Sequence, residues 1–212
     1  MLGKLRVSIS IAVLVIVHVV GLFGMASAYR EVFLILTPIN LALSFAIMLV
    51  NDVRWNAAQW GAIALCFAVG IAVEAIGVAT GMVFGDYYYG ATLGPKLFEV
   101  PIVIGLNWAL LVYGSAAITS KLLPGRPVLL HAAIGAAIMV GYDVLMEPVA
   151  IALDFWHWPQ GSIPLQNYFA WFVVAFGLLV ILHRVFKRIY NPVAIALIAI
   201  QLVFFGALNF IA

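Results

Sequence analysis

The sequence predicts an all-α integral membrane protein: a single domain, residues 1–212, folded as a bundle of seven transmembrane helices. Hydrophobic residues make up 67% of the chain and charged residues only 8%, whereas about a quarter of the residues in a soluble domain are charged. Seven apolar stretches are long enough to cross a hydrocarbon core of about 30 Å. They are residues 7–28, 32–50, 60–81, 97–119, 128–151, 168–186 and 192–211.

The first predicted helix follows two basic residues, Lys4 and Arg6, and its apolar run ends in the sequence Ala-Ser-Ala at 26–28. This pattern of small residues is also typical of a signal-peptide cleavage site. The run over 7–25 is closer in length to a membrane span than to the apolar region of a signal peptide. We therefore expect a retained helix, with a cleaved leader as the alternative.

The basic residues of the loops predict the orientation. When the connections are assigned alternately to two sides, one side has eight basic residues and the other has two, Arg30 and Lys96. The eight are Lys4, Arg6, Arg54, Lys121, Arg126, Arg184, Lys187 and Arg188. Because basic loops stay in the cytoplasm, we expect a multi-pass protein of the cell inner membrane with its N-terminus cytoplasmic and its C-terminus outside.

Several classes of protein are excluded or disfavoured. A net charge of +2 spread over short loops does not predict a nucleic-acid partner. Cys66 is the single cysteine, so no intrachain disulfide can form. The four histidines lack the spacing of a helical metal site, and we expect no bound metal. The last predicted helix contains no lysine, which excludes a retinal Schiff base.

Acidic residues are concentrated at one end of the predicted bundle. Six of the eight fall in or beside apolar helices, at the ends predicted to lie outside: Glu74, Asp86, Glu99, Asp143, Glu147 and Asp154. Carboxyl groups are costly inside a membrane, so such a cluster indicates a functional site.

In the third predicted helix, Glu74 lies on one stripe with Gly70, Gly77 and Gly81, at offsets of four, three and four residues. A face lined by glycines has either a close helix or a ligand against it. Helix packing is sufficient to explain the glycines. It does not require an acid, and we expect Glu74 to be functional.

The fifth predicted helix places Asp143 and Glu147 four residues apart, on one face. Because like charges repel, one of the two is expected to hold a proton near neutral pH, which would put a proton donor beside a base. Pro148 cannot donate to the carbonyl of Val144, leaving an acceptor free for a water molecule. A purely structural hydrogen-bond network is the alternative.

Two longer connections on the outer side each follow a helix with an embedded acid, which suggests two similar halves of a site. The first, residues 82–96, contains three consecutive tyrosines at 87–89, and the second, residues 152–166, contains Trp156 and Trp158. Aromatic residues at a membrane surface commonly act as anchors, but aromatic faces also stabilise cations. We expect the tyrosines mainly at the interface, with one facing inward; for the tryptophans both roles stay open.

Several short motifs occur together between residues 70 and 175. They are Glu74-Ala-Ile-Gly77, Thr80-Gly81, Phe84-Gly85-Asp-Tyr87-Tyr-Tyr89, Leu93-Gly94-Pro-Lys96, Asn107-Trp108, Tyr142-Asp143, Glu147-Pro148-Val149-Ala150, Phe155-Trp156-His-Trp158 and Asn167-Tyr-Phe-Ala-Trp171. In combination they resemble the membrane-bound carotenoid hydratases, which include bacterial gamma-carotene hydratases and archaeal bisanhydrobacterioruberin hydratases. Two positions depart from that family: Glu147 stands where aspartate is usual, and Ala170 where glycine is usual.

The resemblance implies addition of water to the terminal 1,2 double bond of an acyclic carotenoid end, without a cofactor, to give a tertiary 1-hydroxy end. Protonation of such an alkene produces a tertiary cation, so the site needs a neutral acid, groups that stabilise the cation and a held water molecule. We expect one of Asp143 and Glu147 to be the acid, with the other or Glu74 positioning the water.

The resemblance also implies a substrate site and partners. The candidate substrate-binding residues are Gly77, Gly81, Tyr87, Trp108, Trp156, Trp158, Asn167 and Trp171. The expected substrate is lycopene, gamma-carotene or a C50 bacterioruberin precursor held in the lipid bilayer, and other enzymes of carotenoid synthesis are further candidate partners.

Three alternatives stay open. An end-group cyclase would pass through the same cation and close a ring when water is excluded. A proton-coupled carrier would also need acids inside the membrane, although carriers commonly have repeated halves and this chain has no convincing repeat. A carotenoid-binding protein without catalytic activity is the third.

Overall fold

The computed structural model describes residues 2–52, 55–186 and 189–211, and within these ranges the chain forms eight helices and four two-residue strands. The helices are α1 (Leu2–Met25), α2 (Arg30–Ile35), α3 (Thr37–Val50), α4 (Ala57–Thr80), α5 (Ile102–Leu122), α6 (Val128–Ala152), α7 (Leu165–Phe186) and α8 (Pro192–Ile211). The strands are β1 (Tyr88–Tyr89), β2 (Lys96–Leu97), β3 (Val100–Pro101) and β4 (Trp156–His157).

Six of the helices in the described ranges are long and apolar enough to cross a membrane: α1, α4, α5, α6, α7 and α8. The prediction of a multi-pass, all-helical membrane protein is confirmed at this level. Arg54, Lys187 and Arg188, which contribute to the predicted orientation, lie outside the described residues.

The stretch predicted as one helix over 32–50 is divided into the six-residue α2 and the 14-residue α3, with Leu36 between them. Pro38 lies in the first turn of α3 and has no amide hydrogen with which to continue the hydrogen bonding of α2. Alone, α3 is shorter than the roughly 20 residues that cross a bilayer. The expected single helix is therefore absent from this segment.

The helix predicted over 97–119 begins later than expected, at Ile102. The preceding residues form a hairpin in which β2 pairs with β3, and its two turn residues, Phe98 and Glu99, have φ angles of 52° and 62°. Such left-handed turns match the twist of a two-residue hairpin. A short apolar run does not distinguish a strand from the start of a helix, so hydrophobicity alone misplaced this boundary.

Helix α5 lies at the centre of the bundle, and 83% of the residues in an 18-residue apolar stretch of this helix are buried. It packs against α3, α4, α6, α7 and α8. Helix α1 packs mainly against α8, and only 17% of the residues in its apolar stretch of the same length are buried. The outer helices therefore present apolar side chains to the surroundings, as expected for helices in lipid.

The two long connections, which follow α4 and α6, meet at the ends of these helices. Strand β1 pairs antiparallel with β4, placing Tyr88 opposite His157 and Tyr89 opposite Trp156. The amide of Gly90 adds a hydrogen bond of 3.0 Å to the carbonyl of Phe155. These contacts fix the position of the aromatic residues in both connections.

The close approach of the two connections predicts a specific requirement for glycine at position 90. A Cβ atom there would fall on the backbone oxygen of Asp154, so Gly90→Ala should lower the free energy of unfolding by about 1–3 kcal/mol. Gly177→Ala is the control, since a Cβ at Gly177 meets no atom within 4 Å. Unfolding of both variants in detergent measures the difference, and equal stabilities would contradict the predicted close packing.

Candidate active site

Glu74 is a buried carboxyl group in α4 that accepts hydrogen bonds from three aromatic side chains. The phenols of Tyr87 and Tyr89 donate to Oε2 at 2.5 and 2.7 Å, and the indole Nε1 of Trp108 donates to Oε1 at 2.9 Å. Gly70, one turn before Glu74, makes room for Trp108, because a Cβ at Gly70 would lie 2.6 Å from the Trp108 Cβ. The carboxyl group is thus held by donors from the following loop and from α5.

Glu147 in α6 has a similar environment. Its Oε2 accepts hydrogen bonds from the indole nitrogens of Trp156 and Trp158, each at 2.9 Å. Asn167 Nδ2, from the first turn of α7, donates to Asp143 Oδ2 at 2.8 Å and makes a longer contact of 3.4 Å with Glu147 Oε1. Asp143 and Glu147 therefore lie side by side, as their spacing predicts, with one amide between them.

The paired strands explain why these donors face the carboxyl groups. Successive side chains along an extended chain point to opposite sides, so Tyr87 and Tyr89 share one side, and Trp156 and Trp158 likewise. The intervening Tyr88 points to the opposite side, where its ring lies 5.1 Å from that of His157. We call the four inward residues, Tyr87, Tyr89, Trp156 and Trp158, the aromatic cap.

The three carboxyl groups and the aromatic cap line one small cavity, of about 20 Å³. A volume of this size is sufficient for about one water molecule. Its walls include Trp108 and Trp171, whose rings are stacked with centroids 4.4 Å apart. Asp143 is fully buried, and its Oδ1 has no hydrogen-bond partner among the described residues. One of the residues that line the cavity thus has a buried carboxyl oxygen without a hydrogen-bond partner, a feature that calls for an explanation.

The two tyrosines of the cap are held as hydrogen-bond donors. Burial raises the pKa of the Tyr87 phenol far above its usual range, and the negative charge of Glu74 raises it further. Burial and the same carboxyl group raise the pKa of Tyr89. Both phenols therefore keep their protons and present them to Glu74.

Most of the predicted site residues meet at this cavity. They are Glu74, Tyr87, Trp108, Asp143, Glu147, Trp156, Trp158, Asn167 and Trp171. Their catalytic and substrate-binding roles stay predictions. The tyrosines, expected mainly at the interface, are placed differently from that expectation, since two of the three point inward.

The predicted glycines Gly77 and Gly81 line neither this cavity nor the larger cleft described below. A Cβ at Gly77 would lie 2.8 Å from the ring of Phe84, and Gly81 ends α4 with a φ of 64°. Their observed contacts are with the protein itself, which gives both a packing role. A direct contact with substrate stays a prediction.

The other three acids of the predicted cluster do not line the cavity. Asp86 and Glu99 are exposed. Asp154 lies in the second connection, where the hydrogen bond from His157 lowers its pKa and the amide of Ala91 donates a second hydrogen bond. Asp154 therefore stabilises the paired connections as a carboxylate. In the described parts of the chain, no three His, Cys, Asp or Glu side chains are grouped as metal ligands would be.

Five lining residues were not predicted from the sequence as site residues: Phe84, Tyr89, Ile104, Asn107 and Met146. Tyr89 could have been found from the two-residue period that relates it to Tyr87. Asn107 is a buried amide beside Trp108, and its only signal in the sequence is the Asn107-Trp108 motif. Met146 carries no chemical signal that distinguishes it from other apolar residues of its helix.

A larger apolar cleft of about 460 Å³ adjoins the carboxyl cavity. Side chains of α1, α2, α3, α5, α6 and α8 line it, together with Phe155 and Trp156 of the second connection. Four residues line both spaces: Ile104, Asn107, Met146 and Trp156. The cleft and the carboxyl cavity are thus separated by side chains rather than by a helix.

The chain is similar to proteins of carotenoid biosynthesis. Residues 10–212 match the model of a family described as carotenoid biosynthesis protein. A bisanhydrobacterioruberin hydratase from Haloarcula japonica is 33% identical over 107 residues, an alignment that covers 47% of this chain and 36% of the relative. No solved structure matches the chain. The family match extends from α1 to the end of the chain, and the protein therefore belongs to the carotenoid biosynthesis protein family.

Proposed function

We propose that the protein is a carotenoid hydratase that adds water across the terminal double bond of an acyclic carotenoid end. The observation that carries this proposal is one buried cavity that brings three carboxyl groups together within aromatic walls and has room for about one water molecule. The family and the name of the archaeal relative support it. The reaction needs proton transfer and no change of oxidation state, so no cofactor is required.

Asp143 is the proposed proton donor. Asn167 donates to Oδ2, which leaves Oδ1 as the oxygen that can carry a proton toward the substrate. Transfer of this proton to C2 of the alkene creates a tertiary cation at C1. Burial away from bulk water strengthens the interaction of that cation with the nearby carboxyl groups, and the faces of Trp108 and Trp171 provide further stabilisation.

Glu147 is the proposed base. Its Oε2 is occupied by two indole donors, whereas Oε1 has only the long contact with Asn167. Oε1 is therefore the atom that can orient a water molecule for attack on C1 and accept its proton. Return of this proton to Asp143 restores the starting state, with one water molecule added and no electrons exchanged.

Glu74 has a different proposed role. Its three hydrogen bonds fix Tyr87, Tyr89 and Trp108 around the cavity. It contributes negative charge near the cation without direct proton transfer. An end-group cyclase, the nearest alternative, must exclude water from the cation, whereas this cavity has polar groups and volume suited to one water molecule.

We also propose that α2 and α3 together make a seventh crossing, with the aromatic cap on the outer side. The six residues of α2 and the 14 residues of α3 together approach the length of about 20 residues that a span requires. The excess of basic residues in the opposite loops supports a cytoplasmic N-terminus.

Replacing either acid of the α6 pair should remove most of the activity. Asp143→Asn and Glu147→Gln preserve size but remove the proton donor and the base, so turnover of lycopene should fall at least about a hundredfold. Asp86→Asn and Glu99→Gln are matched controls at exposed positions and should retain activity. Product analysis at equal protein levels measures the effect, and similar mild losses in all four variants would rule out the assigned roles.

The hydroxyl oxygen of the product should come from water. Membranes containing the protein, supplied with lycopene and ¹⁸O-labelled water, should yield a labelled 1-hydroxy carotenoid without added nucleotide, flavin or metal. Mass spectrometry of the product gives the answer. Label derived from molecular oxygen, or loss of activity on chelation and its return with metal, would contradict a simple hydration.

The number of crossings can be tested independently of the chemistry. Seven crossings place reporters at the two termini on opposite sides of the membrane, whereas six place them on the same side. We expect a reporter after Ala212 to be outside and one between Pro124 and Arg126 to be cytoplasmic. A cytoplasmic reporter at Ala212 would reverse the proposed position of the aromatic cap.

A further inference from the structure

The carboxyl cavity is too small to hold a carotenoid end. Its volume of about 20 Å³ is suited to a water molecule, whereas pockets for organic ligands typically measure about 300–1,000 Å³. The reacting alkene must therefore reach the carboxyl groups from an adjoining space. The cleft of about 460 Å³ falls within the size range of ligand pockets.

The cleft and the carboxyl cavity share part of their lining. Met146 lies one residue before Glu147 on α6, and Asn107 lies one residue before Trp108 on α5. Both side chains contact the cleft on one side and the carboxyl cavity on the other. A change in the rotamers of these two side chains would join the two spaces, and Met adapts its shape easily.

Exposed apolar side chains at the rim of the cleft favour an opening toward lipid rather than water. The rim includes side chains on α1 and α3 that are exposed and apolar: Ile16, Val20, Ile39 and Leu43. These helices lie at the periphery of the bundle, where apolar exposed residues contact acyl chains. A ligand that partitions into the bilayer can therefore enter sideways without crossing the headgroup region.

We propose that this cleft binds the polyene chain of the substrate, which enters from the lipid between α1 and α3 and advances its terminal double bond past Asn107 and Met146 to the carboxyl groups. The identity of the occupant rests on the proposed function. The walls suit a conjugated chain, because aromatic rings of Phe33, Phe155 and Phe204 lie along an otherwise mainly apolar surface.

Helix α1 offers a matched pair of variants. Ile16 and Val20 are one turn apart, line the cleft and are 59% and 52% exposed. Val15 and Val19 are also one turn apart and are 41% and 45% exposed, but they do not line it. The double variant Ile16→Trp with Val20→Trp should narrow the cleft, and Val15→Trp with Val19→Trp adds equal bulk elsewhere on α1.

Binding is measured in the Asp143→Asn background, so that the ligand is retained unchanged. The protein is purified in detergent from a lycopene-producing host, and lycopene and phospholipid are quantified per mole of protein. We expect the cleft variant to retain at least about tenfold less lycopene than the control pair, from overpacking of the cleft. In proteins with the native Asp143, hydration should fall in parallel.

The possible outcomes test binding in the cleft separately from the hydration reaction. Equal retention of lycopene in both Trp pairs overturns the cleft proposal, even where the native protein hydrates lycopene. Selective loss of retention supports the proposal, even where the native protein yields no hydrated product and the proposed function fails. Loss of phospholipid with unchanged lycopene would assign the cleft to an acyl chain and overturn the proposal.

A second variant tests the cleft if the protein with the Trp pair folds poorly. Gly21 lines the cleft, and a Cβ there would meet the ring of Phe204 at an ordinary distance of 3.7 Å. Gly21→Leu should reduce lycopene retention, whereas Gly177→Leu, at an open helical position outside the cleft, should not. Unchanged lycopene retention in Gly21→Leu would overturn the proposal, as unchanged retention in the Trp pair would.

Discussion

Hydrogen bonding of two buried carboxyl groups by aromatic side chains is the constraint on which the site depends. An acid in an apolar bundle is costly unless donors surround it. Here Glu74 has two phenols and an indole, and Glu147 has two indoles. These donors are themselves mainly apolar, so they satisfy the acids without bringing bulk water into the membrane. Asp143, which lines the same cavity, keeps one carboxyl oxygen without a hydrogen-bond partner among the described residues.

Much of this site was predictable from the sequence, and the reasons are local. Asp143 and Glu147 are four residues apart on a helix, which determines that they share a face. Glu74, on a stripe of glycines, was singled out because packing does not require an acid. The motifs that resemble the carotenoid hydratases contain nearly all the residues that line the cavity. These features did not predict which aromatic side chains donate hydrogen bonds to Glu74 and which donate to Glu147.

The errors arose where hydrophobicity does not distinguish one structure from another. Residues 97–101, predicted as the start of a helix, belong to a hairpin, and the apolar run at 32–50 forms two helices divided near Pro38. Tyr87 and Tyr89 were expected mainly at the membrane surface because of their residue type, although their two-residue spacing on an extended chain places both on one side. Pairing of β1 with β4 joins segments far apart in sequence, and no local pattern specifies it.

The short sequence distance between each glutamate and its donors has a consequence for assembly in the membrane. Tyr87 and Tyr89 follow Glu74 by 13 and 15 residues, and Trp156 and Trp158 follow Glu147 by nine and 11. Each acid can therefore be hydrogen-bonded by its own downstream loop soon after its helix enters the bilayer. Insertion of α4 need not wait for synthesis of α6. The two halves can dock with one oxygen of each glutamate already hydrogen-bonded, and Trp108 and Asn167 then supply the contacts to the other oxygen.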